Sequence, residues 1–148
     1  MVRYSFLIAF FISLSSFAQY SKIKNPINTG VNMTVAILAV DSCIAVGDTI
    51  VALYKIDNLN YKESKPDANP DDFTIAGLTV WKGERLAIAL WGNDSTSDNK
   101  DGFLNNEAIN WAILRNNKYV PVQLLYRLGK NSWEPNGISI VDSLKAGC

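Results

Sequence analysis

Seven short runs of β-branched, aromatic and small apolar residues, separated by turn-forming residues, constrain this chain more than any other feature. They are Asn32 to Val40 (NMTVAILAV), Asp48 to Lys55 (DTIVALYK), Phe73 to Trp81 (FTIAGLTVW), Arg85 to Trp91 (RLAIALW), Ala108 to Arg115 (AINWAILR), Lys118 to Leu128 and Ile138 to Leu144. Runs of this length and composition, bounded by Gly, Pro, Asn and Asp, read as strands. No segment after residue 18 carries a convincing helical period. Lys82-Gly83-Glu84 suits a short hairpin loop, and Asn116-Asn117 a two-residue turn, because asparagine tolerates positive φ.

Alternation sharpens the reading. In Lys118 to Leu128 one face carries Val120, Val122, Leu124, Tyr126 and Leu128, and the other Tyr119, Pro121, Gln123, Leu125 and Arg127. That fits a strand with one wet side. Pro121 argues for an edge strand or a bulge. Arg85 to Trp91 is apolar on both faces and predicts a central strand. A single sheet of seven such strands leaves an apolar face in water, whereas two packed sheets bury both inner faces. The expected fold is an all-β, antiparallel β-sandwich of about seven strands, with a small closed barrel as the alternative.

The first residues are read as a leader rather than as fold. Arg3 is followed by the apolar run Phe6 to Leu14 and by Ser16-Phe17-Ala18, with small residues where a signal peptidase reads. This is the layout of a secretory signal peptide over residues 1–18. The run is short of the roughly 20 residues that span a bilayer. The domains expected are thus a signal peptide (1–18), an extended arm (19–31) and a sandwich domain (32–148). Cleavage removes Arg3 and no acidic residue, leaving 13 basic against 14 acidic residues. Such a balance offers no footprint for nucleic acid.

Export also sets the chemistry of the two cysteines. An oxidising compartment favours a bridge, and Cys43 with Cys148 allows one within the chain. Two free thiols, or Cys148 joined to another chain, are the alternatives. Histidine is absent from all 148 residues. This excludes Ser-His-Asp and Cys-His nucleophiles and His-ligated zinc.

Two loops and the aromatics are the candidate sites. Ile56 to Asp72 is long and polar. Gly92 to Gly102 is acidic and rich in amides, and Asn93, Asp94, Asp98, Asn99, Asp101 and Glu107 bring oxygen-bearing side chains close in sequence. Calcium takes 6–8 hard oxygen ligands, so Asp94, Asp98, Asp101 and Glu107 are candidate Ca2+ ligands. A calcium-loop pattern begins at Asp94, Thr96 and Asp98, then fails at Asn99 and Asn105. A solvated loop with local Asp and Asn turns is the other reading. Asp94, Asp101 and Glu107 also contain the carboxyl pair a small hydrolase needs, but polar neighbours would not raise a pKa there. Among the aromatics, Trp91, Trp133 and Tyr61 are expected to be exposed and to contact a glycan or a protein partner. Trp111 shares a face with Ile109 and Ile113 and is expected in the core.

Four segments occur together: Asn28-Thr29-Gly30-Val31-Asn32-Met33-Thr34-Val35, Gly47-Asp48-Thr49-Ile50, Leu86 to Ser95 running into Lys100-Asp101-Gly102-Phe103, and Asn136 to Leu144. In this order the chain resembles a β-rich module of secreted and surface proteins of Bacteroidota, whose pattern runs TGxNMTV, GDEIGVF, LAITVWGDDS…DGFxxGE and NGxSVxxSL. The resemblance covers about Asn28 to Leu144. It implies an extracellular module, often found beside enzymes, adhesins or a type IX sorting tail. The chain departs from the pattern at Thr49 to Tyr54, where an acidic, glycine-containing stretch is usual. It ends at Cys148 with no room for a sorting tail, so periplasmic residence stays open beside the cell surface. Taken together, the expectation is an exported, non-catalytic recognition module for a glycan or a surface protein. A structural subunit pairing by strand addition is the alternative, and a carboxylate hydrolase a third reading.

Overall fold

A computed structural model describes residues 25–56, 73–98 and 100–147. The expected signal peptide, the start of the arm and most of the loop from Ile56 to Asp72 lie outside them. The described residues form seven strands: β1 (Asn32–Ile37), β2 (Thr49–Lys55), β3 (Phe73–Val80), β4 (Leu86–Trp91), β5 (Asn110–Arg115), β6 (Lys118–Leu128) and β7 (Ile138–Ala146). They contain no helix, and so none long and apolar enough to cross a membrane.

The fold is all-β, as expected, and its layering follows from one long strand. All seven strands join in a single sheet of order β3-β2-β5-β6-β7-β1-β4. β6 pairs with β5 through Lys118 to Pro121, then leaves it and pairs with β7 from Val122 to Leu128. A strand that passes between layers makes a corner. One layer is therefore β3-β2-β5 with the start of β6, and the other is the end of β6 with β7-β1-β4. The end strands β3 and β4 pack against each other, so the sheet curls almost into a barrel. Gly77 makes that seam possible: a Cβ there would lie 2.6 Å from the Ala89 carbonyl oxygen.

Three local expectations are corrected. The sheet is mixed rather than purely antiparallel, because β1 runs parallel to β7. A parallel pair needs a long connection, and nearly the whole domain lies between these strands. Pro121 sits inside the sheet, not at an edge, at the point where β6 changes partner. β4 is an end strand, not a central one, with Ala87 and Ala89 exposed. Alanine counts as apolar, yet it has little surface to hide.

The turns follow the residues. Asn116 and Asn117 both take positive φ (50° and 58°), as the two-residue turn between β5 and β6 requires. In β1 the alternation Met33, Val35, Ile37 points inward. These side chains meet Ile50, Ile88, Leu90, Ile113, Val141 and Leu144 in the main core. A second apolar cluster forms from Val51, Leu53, Ile75, Ala112 and Leu114. The interior of β2 is accordingly buried at every position.

Candidate functional site

The acidic loop is built to hold itself. At its base the Gly92 amide donates to the Val31 carbonyl, the Asn93 amide to the Phe103 carbonyl (2.7 Å) and the Phe103 amide to the Trp91 carbonyl. The arm joins there too, with Thr29 Oγ1 donating to the Gly92 carbonyl at 2.6 Å. Within the loop the carboxylates accept from backbone amides. Asp101 Oδ1 takes the Asp94 amide (2.8 Å), and Asp94 Oδ1 takes both the amide and the hydroxyl of Thr96. Those donors hold the Asp94 carboxyl below its ordinary range, the opposite of what a general acid needs. Glu107 accepts from the Lys55 and Leu104 amides and pairs with Lys100 Nζ at 2.9 Å.

Among the described residues no three acidic or cysteine side chains converge on a point that could hold an ion. Asp94, Asp101 and Glu107 serve the backbone, Lys100 neutralises Glu107, and Asp98 is exposed.

One of the aromatics expected at the surface is buried instead. Trp133 is 4% exposed, and its Nε1 donates to the Leu90 carbonyl at 2.9 Å. Its ring lies against Gly92, where a Cβ would sit 2.3 Å from it. A turn position suggested exposure, but the ring folds under the turn into the core. Trp91 is half-buried, and Tyr61 lies outside the described residues.

What the structure adds is a groove at the fork between β5 and β6, with a volume of about 710 Å³. That size falls in the range of small-ligand sites. The β5–β6 ladder ends at Ala112 and Pro121. Carried two residues further it would set Asn110 opposite Gln123. That pairing does not form: the strands part, and β6 runs on against β7 along its other edge, with Gln123 opposite Lys145. Trp111 and Tyr126 line the opening, joined by a relay of hydrogen bonds. Trp111 Nε1 donates to the Tyr126 hydroxyl (3.2 Å), which donates to Asn131 Oδ1 (3.0 Å), while Asn131 Nδ2 donates to the Ile109 carbonyl (3.0 Å). Burial pushes the Tyr126 phenol above its ordinary value, against the smaller opposing effect of Trp111, so it remains a donor. The strand pattern placed Trp111 in the core, where it is, but the parting of the strands depends on pairing that no local pattern carries.

Known proteins match none of this. The chain matches no family model, no curated protein and no solved structure. The geometry therefore has to carry the functional reading.

Away from the groove, one ion pair braces β5. Arg115 grips Asp48 through Nε (3.0 Å) and Nη2, and Nη2 also donates to the Cys43 carbonyl at 2.7 Å. The Asp48 carboxyl is held below its ordinary value, first by the Arg115 hydrogen bond, with burial opposing. A lowered folded-state pKa stabilises the fold fully above the unfolded value near 4. That contribution is lost as pH falls through the lower, folded value. Arg115→Met is therefore expected to melt a few degrees below wild type at pH 6, with the gap closing towards pH 2. Thermal melts across that range read it, and a gap that does not depend on pH would contradict the pairing.

Proposed function

We propose that the chain is an exported, non-catalytic recognition module of the bacterial surface or periplasm, related to the Bacteroidota module it resembles, and that the β5–β6 groove is its contact surface. The observation that carries this is the groove itself: a half-open slot with aromatic walls and free-standing amides at its lips, on an otherwise closely paired sheet. Asn110 and Gln123 are exposed there and make no side-chain hydrogen bond among the described residues. Such convergence of apolar wall and polar rim is the usual form of a binding site. The leader-like residues 1–18 support export. The packing of β3 on β4 leaves strand addition at the sheet ends with less support than the groove has.

The test is a binding array bearing neutral glycans, acidic glycans and peptides, probed with the mature protein. A second protein, Gln123→Trp, fills the slot from an exposed position. Wild type is expected to bind at least one class and the filled variant none. Binding by neither protein, or equal binding by both, would end the proposal. N-terminal sequencing after expression with the leader is expected to begin at Gln19.

A further inference from the structure

We infer that the groove takes a neutral polyhydroxyl chain, an uncharged oligosaccharide, an inference that rests on the recognition reading above. The first reason is charge. No described residue lining the groove is ionisable apart from the two tyrosines, although charged residues make up 19% of the chain. Arg127, the charged residue beside Tyr126 on β6, is paired with Asp142. An ionic ligand would give up its hydration here and meet no opposite charge in return.

The second reason is the polar inventory. Asn110 and Gln123, whose side chains are not otherwise engaged among the described residues, each present donors and an acceptor. Sugar hydroxyls are donors and acceptors at once, so an amide can meet them in either sense. Half-buried Phe73 and Tyr119 add apolar and aromatic surface for the C–H face of a pyranose ring.

The third reason weighs against an extended peptide. Strand addition needs open backbone. Beyond the fork the backbone of β5's approach is already engaged: Ala108 bridges Ser132, the Ile109 amide donates to the Asn131 carbonyl, and Asn131 Nδ2 caps the Ile109 carbonyl. On the β5 side, therefore, the groove offers side chains more than ladder positions.

Titration calorimetry of the mature protein tests this with cellohexaose, maltohexaose, mannohexaose and chitohexaose, set against hexagalacturonate, a heparin hexasaccharide and a proline-rich peptide. At least one neutral hexasaccharide is expected to bind. Its affinity should change less than about twofold between about 50 mM and 500 mM NaCl, because no ion pair forms. Asn110→Ala with Gln123→Ala should weaken it roughly tenfold or more at an unchanged melting temperature. Binding of the acidic sugars alone, strong salt dependence, or indifference to the double substitution would overturn the inference. If the peptide alone binds, and Gln123→Trp blocks it, the recognition reading stands and the saccharide inference fails. If nothing binds, both fail.

Discussion

Phe103→Ala is expected to lower stability by about 3–5 kcal/mol, the usual cost of removing a large aromatic from a packed core. For a domain of this size that corresponds to a fall in melting temperature of roughly 10–20 °C. Among the described residues Phe103 is the largest of the fully buried side chains, with 1% of its surface exposed. It meets Tyr54 edge to face, with ring centroids 6.0 Å apart. Its backbone closes the acidic loop by exchanging hydrogen bonds with Trp91 and Asn93. One residue earlier, Gly102 passes so close to the Gly92 carbonyl that a Cβ would lie 2.2 Å from it. The side chain is thus the plug on which the loop is hung. Burial, with help from the negative charge of Asp101, also holds the Tyr54 phenol above its ordinary value. In Phe103→Ala the Tyr54 titration should move back towards that of a free phenol, and the amides of Asp94 and Asp101 should exchange faster. A variant that melts within about 1 kcal/mol of wild type would show that the loop is held by its hydrogen bonds alone.

Much of this architecture could be read from local chemistry. Met33, Val35 and Ile37 alternate, and they face inward. Asn116-Asn117 announces its turn and takes it. Of the β6 face that carries Val120, Val122, Leu124, Tyr126 and Leu128, the first four pack on the core, and Leu128, at the strand's end, is exposed. Local pattern failed where the outcome depends on a distant partner. The two exposed alanines of β4 read as core by hydropathy, although their strand closes the sheet. Trp133 reads as a turn residue, yet Gly92, far away in sequence, provides the space for its ring. For the acidic loop the sequence leaves a calcium site and a self-bonded turn both open, because it counts oxygens without showing which backbone amides take them up. The groove follows from β6 exchanging β5 for β7 at Pro121. A missing amide marks that place in the sequence, without saying which strand departs.

Breaking the bridge at Cys43 should have the second large effect. Cys43 is disulfide-bonded. Cys148 lies outside the described residues, and the chain has two cysteines. The described residues on either side bring the two ends of the domain together. The Asp41 amide donates to the Leu144 carbonyl and the Leu144 amide to the Ala39 carbonyl, while Val40 bridges Leu144. Asp41 then divides its carboxylate between the two partners, Oδ1 accepting from the Cys43 amide (3.1 Å) and Oδ2 from the Ala146 amide (2.8 Å). We therefore expect a Cys43–Cys148 bridge, formed in an oxidising compartment after export. It would close a loop spanning most of the domain, and such bridges typically contribute about 2–4 kcal/mol. Cys43→Ser, or reduction of the wild type, should lower the melting temperature accordingly, and reduction should add about 2 Da to the intact mass. The variant should lose little further stability on reduction. The groove lies at the β5–β6 fork, and no residue of the 41–43 turn lines it, so its ligand affinity should not change. A disulfide-linked dimer on a non-reducing gel would show instead that the C-terminal cysteine reaches a second chain. The Asp41 contacts would then hold the last strand without a covalent clasp.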